Sequence, residues 1–428
     1  MRWLLKGGRV VDPAQRIDAV LDVLVADGRV VELGQDLSGA GEVVDCQGKV
    51  VVPGLIDLRA HLGEPGRELA ETIASGTRAA AAGGFTAVCA RPGRELAVDN
   101  AGWVSFVRER ARQDGVVKVY PLAAVTKGYA GDELVEMGDL KAAGAVALYD
   151  GDRSLARAGV MRRALEYARM VGLPVMVHCE DADLAGPGVM HEGLYSTING
   201  LAGIPAAAEE IVVARDLMLA QLTGARLHIA HVSTAGSVAL IRAAKARGVA
   251  VTADVTAHHL VLTDADVQPD DANWKVRPPL RTSADVEALL EGLRDGTIDC
   301  IATDHEPHLE EDKQVEFDRA PFGIIGLETA LPLLLTRVVA AGSLSLNELI
   351  ARLSWQTARM LGLPGGTLAP GSPADITVID PERERVYDPK QGYSRSRNTP
   401  LAGWRLKGWP VATMVDGRWV VQQGRVLV

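Results

Sequence analysis

The 428-residue chain has no apolar run approaching 18 residues, no run of basic residues and only four cysteines. The first absence excludes an ordinary membrane-spanning helix. The opening stretch MRWLLKGGRVVDPAQ is likewise too poor in apolar residues for a secretory signal, so a soluble cytoplasmic protein with no membrane partner is expected. Cys46, Cys89, Cys179 and Cys300 lie far apart with no C-x-x-C pair, which argues against a disulfide scaffold and a structural zinc knuckle. Acidic residues outnumber basic ones, 55 to 45, for a formal net charge of −10, so nucleic acid is not the expected partner. A G-x-S-x-G elbow, a phosphate loop and a Cys–His nucleophile motif are missing too. What is present is a large apolar fraction, 47%, enough for a substantial core, and nine unevenly placed histidines.

The two ends share one texture. Residues 1–52 alternate apolar and polar in LLKGGRVVD, DVLVADGRVVELG and GEVVDCQGKVVVPG, with Asp-Gly, Gly-Gly and Gln-Gly as turn signals. Residues 366–428 repeat the pattern in ADITVIDPERERVYD and ATMVDGRWVVQQGRVLV. The expected arrangement is one β-sandwich module built from both termini, with two separate β caps as the alternative. Residues 53–365 have a different rhythm. Eight short apolar runs, PGLIDLRAHL, FTAVCA, VKVYPLAAV, GAVALYD, LPVMVHC, ARLHIAHV, VAVTADV and TIDCIATD, alternate with stretches of helical periodicity. Strands alternating with helices and buried on both faces imply a parallel sheet. Eight of them predict an α/β (β/α)8 TIM-type barrel. An open doubly wound sheet is the alternative, but no Gly-rich dinucleotide turn follows the first strand.

In such a barrel, chemistry sits at the C-terminal ends of the strands. Period-two alternation puts Asp57, Arg59 and His61 on one face at the end of strand one. His178 ends strand five, His231 strand six and Asp304 strand eight, followed by His305, Glu306, Pro307 and His308. His258 and His259 open the loop after strand seven. His61, His178, His231 and Asp304 therefore converge from four strands as a plausible zinc shell. His191 and His228 are read as structural, His228 lying on the opposite face of its strand from His231.

At these residues the chain resembles the dihydroorotase family of amidohydrolases. The resemblance rests on PGLIDLRAHLGEPG, ETIASGTRAAAAGGFT, VMVHCED, PAAAEEIVVARD, HIAHVST, AHHLVLTD, ATDHEPH, APFGIIGLETALPL and GSPADITVID, nearly end to end. It implies zinc-assisted interconversion of N-carbamoyl-L-aspartate and L-dihydroorotate in pyrimidine synthesis, with metal-polarised carbonyl and water and a strand-eight carboxylate moving the proton. The implied ligands are an H-x-H on strand one, an Asp after strand four, His on strands five and six, and Asp on strand eight.

Position by position, the resemblance maps retained metal ligands onto His61, His178, His231 and Asp304, the last also the catalytic group if the chain is active. Arg59 replaces the first His of H-x-H. Gly151, in Asp150-Gly151-Asp152, replaces the bridging Asp, with Asp150 or Asp152 able to substitute only if the loop shifts. On the substrate side Gly63 stands for the carboxylate-gripping Arg, Gly93 (in Ala90-Arg91-Pro92-Gly93) for an Asn, and Arg277 for the Asn before Pro-Pro-Leu-Arg. His308, Pro321 and Gly323 fall at further substrate-contact positions.

A guanidinium about 4 Å from a dication is repelled by roughly 8 kcal/mol at an effective dielectric of about 20, and Arg cannot escape by losing its proton. Arg59, with or without Arg91, is thus expected in the former metal position, paired with Asp304. Zinc is expected absent, or at most one weakly bound ion on His178 and His231 with Cys89 or Asp304. Cys89 is otherwise a small buried residue. The expected role is that of a catalytically inactive or impaired member, a structural partner of aspartate transcarbamoylase in a homo- or hetero-oligomer, as the resemblance implies. The alternatives are an active zinc dihydroorotase or related cyclic amidohydrolase, and a regulatory subunit binding an anion through Arg59, Arg91 and Arg277.

Overall fold

All eight apolar runs of the central segment form strands in the computed structural model, which describes residues 2–38, 41–91, 93 and 96–427. They are Leu55–Ala60, Phe85–Ala90, Lys118–Ala123, Ala147–Tyr149, Val175–Val177, Leu227–Ile229, Val251–Thr256 and Cys300–Ala302, hydrogen-bonded in chain order into one parallel sheet. The two edges meet. Ala60 bridges His305, and Asp57 accepts hydrogen bonds from the backbone N–H and hydroxyl of Thr303 at 2.7 and 2.8 Å. The architecture is therefore the expected α/β barrel, closed along this seam.

Burial on both faces explains the continuous apolar runs. Leu58, Cys89, Leu122, Tyr149, Met176, Ala230 and Cys300 fill the barrel interior as one cluster. Outward-facing Val88, Leu148, Val177 and Ile229 pack against helices such as Ala158–Val171, Ala206–Thr223 and Ala235–Ala246. The helix Ala158–Val171 stops where Gly172 turns left-handed (φ 73°), a conformation that costs other residues about 1–2 kcal/mol.

Strands from both ends of the chain are hydrogen-bonded into a single nine-stranded sheet. The strand Arg2–Asp12 is bulged between Leu5 and Gly8, so its two halves take different partners. The first half of that strand runs parallel to Glu42–Asp45 and the second half parallel to Val50–Pro53, which in turn pairs with Ile376–Val386. The sheet's own core includes Leu5, Val10, Val23, Val25, Ile376 and Met414. Lys118 joins sheet to barrel through Asp375 and Asp416, both at 2.7 Å. No described helix is long and apolar enough to cross a membrane.

Candidate functional site at the barrel rim

The ladder of the first barrel strand breaks between Asp57 and Ala60, so the expected regular alternation fails there. Leu58 enters the interior, Asp57 goes to the closing seam, and Arg59 reaches across the barrel. Arg59 is fully buried. Its Nε donates to Asp304 Oδ1 at 2.9 Å, and its two terminal nitrogens donate to the Asp254 carboxylate at 2.8 and 3.2 Å. Burial opposes the Arg59 charge, but Asp254 and then Asp304 more than compensate and raise its pKa well above the ordinary value. Asp254 is correspondingly held far below the carboxylate range, against its own burial, by Arg59 and by a 2.8 Å contact with His228 Nε2. The expected Arg59–Asp304 pair exists, with Asp254 as a second acidic partner.

Arg91 does not share that position. It pairs with Asp152 at 3.0 Å and Glu306 at 2.8 Å. Arg277 lies half-buried in a forked pair with Glu180 and over the Phe322 ring at 5.0 Å. Three guanidiniums, Arg59, Arg91 and Arg277, thus meet five carboxylates, Asp254, Asp304, Asp152, Glu306 and Glu180. Their charge is already spent inside the protein, which removes the physical basis for an anion site lined by these three residues.

The retained histidines divide. His178 and His231 are brought together, with Nδ1 and Nε2 3.2 Å apart. That is close to the about 3.3 Å edge of a tetrahedral shell with Zn–N near 2.05 Å. His178 Nε2 is buried with no hydrogen-bond partner among the described residues. His231 (φ 38°) and Asp304 (φ 50°) both adopt left-handed backbone, which turns their side chains back over the barrel mouth. His61 is buried beside Arg91, and burial followed by that neighbour pushes its pKa well below 6.5. The His258 and His259 rings lie 4.7 Å apart, tilted at 41° to each other. His259 is held by Thr256 Oγ1 at 2.7 Å and the Pro278 carbonyl at 3.0 Å.

The substituted positions are structurally distinct. Gly151 (φ 66°) faces open space, with nothing within 4 Å of where a Cβ would stand. Both neighbouring Asp side chains have partners within the protein. Asp150 accepts from the backbone of Val125 and Thr126 and from the Thr126 hydroxyl, while Asp152 holds Arg91. At Gly63 (φ 72°) a Cβ would lie 2.0 Å from the Glu71 carbonyl oxygen, so the loop has closed over the family's Arg position. Gly93 is half-buried, and Pro92 of the same motif lies outside the described residues. His308 Nε2 contacts the Phe322 carbonyl at 2.7 Å, and the Pro321 carbonyl accepts from Lys313 at 2.7 Å. Gly323 (φ 118°) leaves room for Glu306, whose Oε2 would be 2.5 Å from a Cβ. Cys89 is sealed in the barrel interior. Burial, then Asp57, push its thiol pKa well above the ordinary value, which fits the reading of a small buried residue.

Sequence reasoning missed Asp254 and misplaced His228. An acidic residue inside the otherwise apolar strand VAVTADV was the available signal, since a buried charge needs a partner. His228 does serve a structural role, but as the residue that joins Thr252 Oγ1 to Asp254, 2.8 Å on each side.

Barrel, rim and terminal sheet together define an amidohydrolase-type protein. The solved structures similar to it include L-hydantoinase (dihydropyrimidinase) from Arthrobacter aurescens, TM-score 0.90 at 27% identity, covering 100% of this chain and 97% of that one. A dihydropyrimidinase from Brevibacillus agri aligns with TM-score 0.87 at 25% identity, covering 100% and 96%. The family described as Dihydro-orotase-like matches residues 48–237. Over full length the chain is 55% identical to a protein named dihydroorotase from Pelotomaculum thermopropionicum, covering 100% of both. It is 53% identical to one of the same name from Syntrophotalea carbinolica, covering 98% of each. The chain belongs to the dihydroorotase family.

Zinc is the metal expected of this family, and the rim fits only part of a centre for it. The His178–His231 spacing suits one ion. The other half does not fit a second: Arg59 brings a fixed positive charge onto Asp304, and Gly151 offers no bridging carboxylate. The donor set as folded therefore does not accommodate a two-zinc centre.

Burial of neutral histidines predicts an acid-sensitive fold. Burial pushes His259 down to about 4, against an unfolded value of about 6.5. Below pH 6.5 the unfolded chain takes up a proton that the folded chain refuses, so stability falls as pH drops toward 4. This group alone contributes a loss of up to about 3 kcal/mol across that window. Urea midpoints measured from pH 7.5 to 4.5 are expected to decline, and His259→Gln to flatten the decline. An unchanged slope in the variant counts against the assignment.

Proposed function

We propose that this dihydroorotase-family protein serves pyrimidine synthesis without itself interconverting N-carbamoyl-L-aspartate and L-dihydroorotate, as a structural partner of aspartate transcarbamoylase. The observation that carries the loss of activity is Arg59, fully buried between Asp254 and Asp304. It neutralises the strand-eight carboxylate that would otherwise handle the proton, and it places a cation where the family holds zinc. Closure of the chain over Gly63 and the Arg277–Glu180 pair remove two contacts expected to hold the substrate carboxylate. The partner half of the proposal rests on family analogy alone.

A second reading, an active dihydroorotase, is favoured by the names of relatives at 55% and 53% identity and by the His178–His231 spacing. It requires Arg59 to leave Asp304. One set of measurements separates the two. The proposal expects less than one tightly bound zinc per chain, no turnover of dihydroorotate, and a single larger species on gel filtration with aspartate transcarbamoylase. Ordinary enzymatic turnover by the unmodified chain overturns the proposal in favour of the active enzyme. Two independent gel-filtration peaks at micromolar concentration overturn the partnership.

A further inference from the structure

The end of the barrel opposite the rim carries a second charged cavity, of about 610 Å³, under the starts of the fifth to eighth strands. Its wall includes Arg226, Arg294, Arg352 and Arg359, a concentration of guanidinium unlike the rim's in one respect. At the rim each Arg is matched by carboxylates. Here the two acids in the wall are committed elsewhere, Asp295 to Arg242 at 2.7 Å and Asp299 to Lys245 at 2.6 Å. Among the described residues none of the four guanidiniums has a carboxylate at ion-pair distance.

Glu348 acts on Arg352 and Arg294 from beyond ion-pair distance, and the hydrogen bonds these two make are to carbonyls. Arg226 donates to the Gly172 carbonyl at 2.7 Å and Arg294 to the Leu290 carbonyl at 3.3 Å. Arg352 donates to the carbonyls of Leu293 at 2.6 Å and Asp299 at 3.4 Å, and Arg359 lies over the Trp355 ring at 5.8 Å. Arg352 Nε is buried and makes no hydrogen bond among the described residues, an orphaned donor that a bound acceptor would satisfy. Carbonyls orient a guanidinium and leave its charge available. Four such forks around one cavity suit a ligand with several closely spaced anionic oxygens, which phosphate groups in series provide.

We propose that this cavity is a binding site for a small oligophosphate, either free or as the phosphate tail of a nucleotide. The site is independent of the rim: it neither needs nor excludes chemistry there. Arg294 and Arg359 are solvent-exposed, so their removal leaves the core untouched. Calorimetric titration of the full chain in 150 mM salt uses two probes, inorganic tripolyphosphate and ATP without added metal. Saturable binding of both is expected, weakened at least tenfold by Arg294→Ala/Arg359→Ala. Equal affinity for the two probes assigns recognition to the phosphates alone, and tenfold tighter ATP assigns it to a nucleotide. The absence of binding by either probe at millimolar concentration, or unchanged affinity in the double variant, overturns the proposal.

Discussion

Arg59→Met is expected to cost about 3–5 kcal/mol of folding stability, the usual consequence of removing one partner from a buried ion pair. Two carboxylates depend on this side chain, and Asp254 and the guanidinium are both fully buried. Met fills similar volume but leaves Asp254 and Asp304 facing each other without a cation. The deficit has a pH signature. Asp254 is held below its ordinary range in the folded protein, so the stability it gains from Arg59 is present above about pH 4 and lost as pH falls further. The difference between parent and variant is therefore expected to shrink in acid. Arg59→Lys keeps the charge but not the planar fork that spans two carboxylates, and an intermediate loss is expected. Equilibrium urea denaturation at pH 7 measures both variants. A loss below about 1 kcal/mol for Arg59→Met would show that the cluster is not what secures the barrel mouth.

Restoring the side chains that the family resemblance implies at Gly63 and Gly151 is expected to give opposite results. Gly63→Arg should destabilise the protein severely, by several kcal/mol, because the new Cβ meets the Glu71 carbonyl oxygen at 2.0 Å and φ is 72°. No rotamer relieves a clash that begins at Cβ. Gly151→Asp also meets a positive φ, 66°, but opens into empty space, and Asp is among the residues that tolerate left-handed backbone. Its cost is expected to stay near about 1 kcal/mol. Thermal denaturation of the two single variants decides the matter. If both fold equally well, the loop at Gly63 is not closed as described. Arg59→His/Gly151→Asp avoids the clash at Gly63 but gives up the Arg59 ion pairs, and elemental analysis should find more zinc in it than in the parent. Turnover is not expected to follow, since the substrate side at Gly63 remains shut.

The barrel was legible because its signal is repeated. Eight apolar runs such as FTAVCA and LPVMVHC, each followed by a helical stretch, leave few other ways to bury both faces of a sheet. The pairing of Arg59 with Asp304 was legible for a different reason: both sit at strand ends that the barrel must bring to one rim. Asp254 was not legible in the same way. It lies within the Val251–Thr256 strand, and the break in alternation between Asp57 and Ala60 that aims Arg59 toward it follows from how the first strand meets its neighbours. His228 and His231 illustrate the same limit. Counting residues placed them on opposite faces, but the left-handed turn at His231 takes that residue out of the strand's periodicity, and its backbone N–H meets the same Asp254 that His228 contacts.

The sequence by itself determined the barrel, the shared texture of the two ends and the family, because periodicity and motif spacing are properties of the chain read in order. It also shows an Arg at 59 and a Gly at 151, where the family resemblance implies metal ligands. Only the tertiary structure decided what the substitutions became. The few cysteines and the acidic balance said nothing of where charge is neutralised. At the rim Arg59, Arg91 and Arg277 meet carboxylates at ion-pair distance, whereas at the opposite mouth, among the described residues, Arg226, Arg294, Arg352 and Arg359 meet none that close. Charge pairing depends on distances of a few ångströms across the barrel, and no spacing along the chain encodes them.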